Sequence, residues 1–169
     1  VLFRSCLVMT KSRPSSTMDR VQAFKDELLS RGISSEGNIL ALNTTSDKFL
    51  QRHPDLKNFI QNEHQQGKRL GVFAINDNVA YMVLKVAEEL DLRVPEDLIV
   101  TGFDGMSIAA ISRPTITTIV QDSTTIANKA SQLLVETIKK GVDQADKHGT
   151  VHVPYRLAQR KSTLPEDQV

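Results

Sequence analysis

The stretch V-P-E-D-L-I-V-T-G-F-D-G, residues 94–105, decides the fold of this chain. A Pro-Glu-Asp turn leads into the apolar run Leu98–Val100, and the run exits through Thr-Gly-Phe-Asp. An apolar run bounded by turn residues is typical of a parallel strand that is buried on both faces. In open α/β sheets, ligands bind in the crevice beyond the carboxyl ends of the strands. We therefore expect Asp104 to lie at such a crevice, together with Asn76, which ends the preceding predicted strand.

Apolar runs alternate with amphipathic segments along the first two thirds of the chain. The runs predict strands over Leu7–Thr10, Asn38–Leu42, Leu70–Ile75 and Leu98–Gly102, and the segments between them predict helices over Met18–Arg31, Asp55–Gln66 and Asn78–Leu92. In the first helix, the apolar face comprises Val21, Phe24, Leu28 and Leu29. This order predicts an α/β fold with a doubly wound parallel sheet, helices on both of its faces and right-handed crossovers.

The pattern changes after Asp104. A short helical piece precedes Arg113-Pro114, and Ile116–Val120 is predicted to be a strand. Asp122 and Ser123 can cap a helix that runs to Lys140. Its apolar stripe comprises Ile126, Ala130, Leu133, Leu134 and Ile138. The remainder is interpreted as a polar loop over Val142–Gly149, a strand interrupted by proline over Val151–Val153 and Tyr155–Ala158, and a frayed tail over Ser162–Val169.

Composition and motifs argue against several classes of protein. Hydrophobic residues make up 40% and charged residues 24% of the 169 residues, which is a soluble globular composition. The formal charge is only +1, and the sequence shows no basic face that could bind DNA. One cysteine, Cys6, excludes an internal disulfide framework and favours a reducing compartment. The four histidines lack metal-ligand spacing, and no nucleophile elbow or phosphate-binding loop occurs. The sequence therefore predicts neither an enzyme nor a cofactor or metal site, and no apolar run is long enough for a membrane span.

Three segments carry a resemblance to a known family. They are G-V-F-A-I-N-D-N-V-A-Y (71–81), L-R-V-P-E-D-L-I-V-T-G-F-D-G (92–105) and R-P-T-I-T-T-I-V-Q-D (113–122). In order and spacing they resemble the effector-binding domain of the LacI/GalR family of bacterial transcription regulators, and a looser resemblance extends from Cys6 to Ser162. The resemblance implies a periplasmic-binding-protein-like (type I) fold, present here as the second lobe with a partial first lobe.

The same resemblance implies how the chain is divided. Residues 1–5 do not match the family and are interpreted as a non-native leader, with the strand beginning near Cys6. Residues 6–115 correspond to the second lobe, and residues 116–150 to a crossing strand and a helix that belong to the first lobe. Residues 151–162 return to the second lobe, and 163–169 form a tail. By this division the helix Ser123–Lys140 lacks its native packing partners.

Ligand-binding residues are also implied by the resemblance. Arg20, Asn76, Asp104 and Gln121 match family ligand positions, and Ser16 is a weaker candidate at the entry to the first helix. Carboxylates accept hydrogen bonds, arginine donates them through a planar fork, and amides do both, which suits the hydroxyls of a sugar. Ala23 stands where the family usually has glycine in the Arg20 motif.

Each of these residues also has a structural alternative. Asn76 or Asp77 can cap the helix that follows, and Asp104 can belong to an Asp-Gly turn. Arg20 can be a solvated helix residue, and Gln121 can simply lead into a helix cap. Phe24, Phe73 and Phe103 can stack on a sugar ring or pack in the core.

The resemblance implies a cytoplasmic sensor module of a DNA-binding transcriptional regulator or repressor. Its partners would be a small effector, a sugar or nucleobase-like molecule, and operator DNA bound by a helix-turn-helix or winged-helix head outside this chain. A homodimer would pair through Tyr81, Met106 and Ile111. The alternative is a periplasmic sugar-binding protein of an ABC transporter, which shares the fold. An enzyme on a doubly wound fold is a third interpretation.

Overall fold

The computed structural model describes residues 2–11, 14–45, 48, 51, 53–140 and 151–164. The predicted loop Val142–Gly149 and residues 165–169 of the predicted tail lie outside the described residues. Strands and helices alternate in chain order as β1 (Leu2–Thr10), α1 (Ser15–Ser30), β2 (Ile39–Leu42), α2 (Pro54–Gln65), β3 (Lys68–Ala74), α3 (Asp77–Glu89), β4 (Leu98–Asp104), α4 (Ser107–Ile111), β5 (Thr117–Gln121), α5 (Ser123–Lys140) and β6 (Tyr155–Ala158).

The strands form one six-stranded sheet in the order β2-β1-β3-β4-β5-β6. The first five strands run parallel, and β6 pairs with β5 in the antiparallel direction. Strand β4, which the deciding stretch predicts, lies between β3 and β5 and is not an edge strand. The predicted doubly wound α/β sheet is therefore confirmed, and the strand order reverses between β1 and β3.

Helices cover both faces of the sheet. Phe24 of α1 stacks on Phe73 of β3 with ring centroids 6.1 Å apart. Helix α3 packs on the opposite face, where β4 buries Leu98 and Val100, and α2 and α4 lie beside it. In α3, Val79, Met82, Val83 and Val86 are buried. Leu29 of α1 is 75% exposed and does not belong to the core, so its assignment to the apolar face is wrong.

Strand β1 begins at Leu2, earlier than the predicted start near Cys6. Its register pairs Leu2 with Lys68 and continues without a break to Val8. Arg4 explains why the early residues join the sheet, since its guanidinium forms an ion pair with Glu63 and donates to Asn38. Burial by itself raises the pKa of Glu63, but hydrogen bonds from Lys68 and Arg4 outweigh burial and lower it.

The carboxyl-terminal segment also differs from its prediction. Pro154 has no N–H to donate, and strand β6 begins only after it, so Val151–Val153 is not part of a strand. Ser162, predicted to begin the frayed tail, is buried and accepts a hydrogen bond from the backbone N–H of Thr117 at 2.9 Å. The Thr163 hydroxyl lies 2.6 Å from that of Thr117, so the ordered segment extends beyond the predicted boundary at residue 162.

The turn that introduces β4 is held by Asp97. Its carboxylate accepts hydrogen bonds from the backbone N–H of Arg93 at 3.0 Å and from the Arg93 guanidinium at 2.8 and 2.7 Å. These side-chain and backbone hydrogen bonds from Arg93 lower the pKa of Asp97 to about 2. Asp97 therefore fixes the chain immediately before Leu98 enters the sheet.

A buried carboxylate joins three elements on the α3 face. Asp77, the first residue of α3, is fully buried. Its Oδ1 accepts from the Thr118 hydroxyl of β5 at 2.6 Å, and its Oδ2 accepts from the backbone N–H of Met106 at 2.6 Å. A Cβ on Gly102 would lie 2.2 Å from Asp77 Oδ1, so β4 needs a glycine there. Asp77 is not the helix cap that the sequence suggests, because Asn76 occupies that position.

Helix α5 presents apolar side chains that the described part of the chain does not cover. Ile126, Leu134, Val135 and Ile138 are between 41% and 71% exposed. The predicted amphipathic stripe is present, but it faces solvent. That α5 packs against a first lobe outside the described residues stays a prediction.

We expect the substitution Asp77→Ala to lower the free energy of unfolding by about 1–3 kcal/mol. The Met106 N–H loses its acceptor, and the Thr118 hydroxyl keeps only a long contact with the Ile119 carbonyl at 3.4 Å. Urea unfolding followed by circular dichroism measures this change. The exposed carboxylate of Asp19, in α1, provides the matched control, and Asp19→Ala should stay within about 0.5 kcal/mol of wild type. Equal unfolding midpoints for the two variants would contradict the role of Asp77.

A second prediction concerns pH. The lowered pKa of Asp97 means that its stabilising effect is complete above the unfolded value of about 3.9 and is lost as pH falls towards about 2. Asp97→Asn should lower Tm at pH 7 by no more than about 4 °C, as expected for a surface ion pair. Calorimetric scans should show this difference shrinking at pH 3. Glu96→Gln in the same turn is the control, and an Asp97→Asn difference that grows at low pH would refute the assignment.

Candidate functional site

Arg20 reaches across the sheet edge from α1. Its Nη1 donates to the carbonyl oxygen of Ile75, at the end of β3, at 2.7 Å. Its Nη2 donates to Asp104 Oδ1 at 3.0 Å, and the side chains of the pair are only 18% and 31% exposed. The interpretation of Arg20 as a solvated helix residue is therefore wrong, since the guanidinium is held between the ends of β3 and β4.

Asp104 adopts an unusual backbone conformation. Its φ is 101°, in a region that L residues other than glycine rarely adopt, and Gly105 follows with a φ of 73°. A Cβ on Gly105 would lie 2.9 Å from Val120, so the turn passes against β5. Non-glycine residues in such conformations cluster at functional sites, where surrounding contacts hold them. The Asp-Gly turn exists, and its carboxylate also pairs with Arg20.

Gln121 completes the cluster from the end of β5. Its Nε2 donates to Asp104 Oδ1 at 2.7 Å, so one carboxylate oxygen accepts from both Gln121 and Arg20. The helix cap is supplied by the next residue, because Asp122 accepts from the backbone N–H of Thr125 at 2.9 Å. The side chain of Gln121 is therefore free of capping and faces the candidate site.

Asn76 and Ser16 stand beside this cluster. Asn76 Oδ1 accepts from the backbone N–H of Val79 at 3.0 Å, which is the capping role considered above. No partner for its amide nitrogen occurs among the described residues, and its ligand role stays a prediction. Ser16 is exposed one helical turn before Arg20, and within the described ranges its hydroxyl makes no hydrogen bond.

The aromatic residues are engaged with protein groups. The guanidinium carbon of Arg20 lies 3.8 Å from the centroid of the Phe103 ring. Phe24 and Phe73 stack on each other and pack against the core. The prediction of core packing is confirmed for Phe24 and Phe73, while Phe103 belongs to the candidate site.

Sequence analysis did not identify Asp77 as a residue that supports the site from the α3 side of the sheet. Burial raises the pKa of Asp77, and the nearby charge of Asp104 raises it further, against hydrogen bonds from Thr118 and Met106. The available signal was a carboxyl, that of Asp77, directly after the Asn76 cap. Nothing in the local pattern shows that Asp77 turns inward, because its partners lie 29 and 41 residues away.

Two of the three residues predicted for self-association, Tyr81 and Ile111, border a surface groove between α3 and α4. The groove has a volume of about 300 Å³ and is lined by Tyr81, Leu84, Lys85, Glu88, Ile108, Ile111, Ser112 and Arg113. Ile111 is 73% exposed and Met106 is 41% exposed. An apolar residue as exposed as Ile111 is available for a contact with another chain.

The arrangement suits binding of a polar molecule. Arg20 and Asp104 compensate each other's charge, and their unused hydrogen-bonding groups and the amides of Gln121 and Asn76 can donate and accept. Cys6 is buried, and burial raises the pKa of its thiol to about 12, which disfavours the reactive thiolate. No helix in the described part of the chain has the length and apolar character needed to cross a membrane.

Comparison with known proteins places the chain in a family. Residues 3–163 match the family described as periplasmic binding protein-like domain. The chain is 28% identical over 126 residues to the HTH-type transcriptional repressor PurR of Vibrio vulnificus, covering 74% of this chain and 36% of that protein. It is 25% identical over 150 residues to the ribose operon repressor of Halalkalibacterium halodurans, covering 86% of this chain and 40% of that protein. The chain thus spans well under half the length of these relatives.

A solved structure shows the same fold. A LacI family transcriptional regulator from Enterococcus faecium with bound ribose matches 95% of this chain and 56% of that chain, with a TM-score of 0.73 and 24% identity. The resemblance to LacI/GalR effector-binding domains is confirmed by these matches together. The chain belongs to the periplasmic-binding-protein-like domain family, and its relatives include transcriptional repressors.

Proposed function

We propose that this chain is the effector-sensing part of a DNA-binding transcriptional regulator, and that the effector is a sugar or a nucleobase-like molecule. The observation that carries the proposal is the cluster of Arg20, Asp104 and Gln121 at the carboxyl ends of β4 and β5. The switch-point rule for open α/β sheets locates ligands at this edge. Relatives named as repressors support the regulatory role.

The chemistry of the cluster supports an uncharged ligand with several hydroxyl or ring N–H groups. Within the described residues Asp104 uses only Oδ1, so Oδ2 can accept a hydrogen bond from a ligand. Two of the five N–H groups of Arg20 are engaged, and the others can donate. A hydroxyl both donates and accepts, so it satisfies Arg20 and Asp104 at once.

The site is proposed to lie between two lobes. Arg20, Asn76, Asp104 and the weaker candidate Ser16 belong to the second lobe, residues 6–115, and the crossing strand brings Gln121 to the cleft. The uncovered apolar face of α5 supports a further lobe that packs there. An effector that binds one lobe arrangement more tightly than the other shifts the population between them, which changes how the DNA-binding heads fit the operator.

Operator DNA is proposed to be bound by a head outside this chain, in the cytoplasm. The relatives named as repressors support this interpretation over a periplasmic sugar-binding protein of a transporter. They also support a binding protein over an enzyme. The domain then acts as a sensor, and it releases its ligand without chemical change.

Self-association is proposed to occur through the groove between α3 and α4. Tyr81 of α3 and Ile111 of α4 line the groove, and Met106 immediately precedes α4. The exposed Ile111 supports a contact there. An isologous contact pairs the same surface on both copies, which suits two half-sites of a palindromic operator.

We expect Asp104→Ala to weaken effector binding by about tenfold or more, because loss of a buried hydrogen-bond partner costs about 1–3 kcal/mol and about 1.4 kcal/mol corresponds to a tenfold change. Operator binding by the full-length protein should be largely unchanged. Calorimetry with D-ribose, sucrose, cellobiose and hypoxanthine measures effector affinity. Fluorescence anisotropy with labelled operator DNA measures operator affinity.

Two further variants make the Asp104 experiment specific. Asp104→Asn removes the charge while tolerating a positive φ better than alanine, so it separates chemistry from backbone strain. Asp55→Ala removes an exposed carboxylate from α2, on the other face of the sheet, and should leave affinity unchanged. A compound that binds wild type and Asp104→Ala equally well would remove Asp104 from the site. Specific DNA binding by the 169-residue chain alone would contradict the proposal that a separate head binds the operator.

We also expect Ile111→Asp to convert the full-length dimer into a monomer at micromolar concentration, because it replaces an apolar side chain of the proposed contact with a charge. Sedimentation equilibrium measures the mass. Leu29→Asp is the matched control, since Leu29 is 75% exposed on α1, on the opposite face of the sheet. A monomeric wild-type protein, or equal dissociation in both variants, would refute the proposed interface.

A further inference from the structure

The guanidinium of Arg20 is restrained on two edges and one face. Its edges donate to the Ile75 carbonyl at 2.7 Å and to Asp104 Oδ1 at 3.0 Å. One face lies over the ring of Phe103, with the guanidinium carbon 3.8 Å from the ring centroid. Hydrogen bonds alone leave the plane of the group free to tilt about the line joining its two acceptors. Contact with an aromatic face removes that freedom.

Phe103 is placed for this contact by the alternation of β4. Its neighbour Gly102 faces Asp77 on the α3 side of the sheet, so Phe103 points to the α1 side, where Arg20 lies. The ring also borders a small groove of about 120 Å³ with Ile119, Gln121, Ile126 and Tyr155. The ring therefore packs between Arg20 and the β5–β6 part of the sheet, and its face towards Arg20 is not available to stack on a ligand.

We propose that Phe103 is a positioning residue for Arg20, which holds the guanidinium in one plane so that its remaining N–H groups are directed at the candidate site. The attraction between a cation and the face of an aromatic ring supplies the restraint, and it strengthens where water is excluded. The part of this inference that concerns ligand affinity rests on the proposed function. The restraint on Arg20 itself does not, and it can be measured without any effector.

The first experiment uses nuclear magnetic resonance of the ligand-free protein with 15N-labelled arginine. The ring current of Phe103 should shift the guanidinium N–H resonances of Arg20 upfield, and the hydrogen bonds should slow rotation about its Cζ–Nε bond. Phe103→Leu and Phe103→Met keep an apolar side chain without an aromatic face, and both should lose the upfield shift. Phe103→Tyr should retain it. Phe24→Leu, which disturbs a ring stacked in the core, is the control and should leave the Arg20 resonances in place.

The resonance experiment tests whether Phe103 restrains Arg20, and it needs no effector. Absence of the upfield shift in wild type overturns the proposal even where a variant does not fold. An unchanged Arg20 signal in Phe103→Leu or Phe103→Met also overturns it. Loss of the shift in these variants, with retention in Phe103→Tyr, supports it.

The second experiment measures D-ribose affinity by calorimetry in a double-mutant cycle on the full-length protein. Phe103→Leu should weaken binding about three- to tenfold in the wild-type background and have no further effect in an Arg20→Ala background, because the ring acts through Arg20. Equal effects in both backgrounds would show that Phe103 does not act through Arg20 and would overturn the proposal. If wild type does not bind D-ribose, the choice of that sugar under the proposed function is wrong, while the resonance experiment still decides the role of Phe103.

Discussion

The position of the candidate site depends on the buried carboxylate of Asp77. A carboxylate without access to water needs a donor for each oxygen, and Asp77 takes them from the Thr118 hydroxyl and the Met106 N–H. These donors belong to β5 and to the turn after β4. The start of α3, the turn and the crossing strand therefore cannot move independently. Gly102 leaves the space that the carboxylate occupies.

The same constraint gives Asp104 its direction. Asp104 lies two residues before Met106, and Gln121 lies three residues after Thr118, so the anchored backbone carries both side chains to the sheet edge. The positive φ of Asp104 and the close approach of Gly105 to Val120 are held by this packing. Strain of this kind persists only where surrounding contacts determine the conformation. The result is a carboxylate that meets Arg20 from α1, more than eighty residues away in sequence.

Helix α5 carries apolar side chains that no other described part of the chain covers. A stripe of exposed apolar side chains is unusual on a solvent-exposed protein surface and is typical of an interface with further polypeptide. The relatives are more than twice as long as the segment that they match here. A fold of this kind hosts many functions, so the sheet alone does not indicate regulation. The cluster of Arg20, Asp104 and Gln121 and the relatives named as repressors support that role.

The sequence by itself determined the order of elements, the parallel sheet and the place of Asp104 near its carboxyl edge. These features follow from local periodicity, turn residues and a topological rule, all of which can be read along a chain. Arg20 was identified through the resemblance to LacI/GalR effector-binding domains. The sequence also left Asn76 with two roles, and the structure shows one of them, the helix cap.

Only the tertiary structure decided the inward turn of Asp77, the contact between Arg20 and Phe103, the burial of Ser162 and the start of β1 at Leu2. Each depends on partners from distant segments brought together by the strand order, and no local pattern encodes such a pairing.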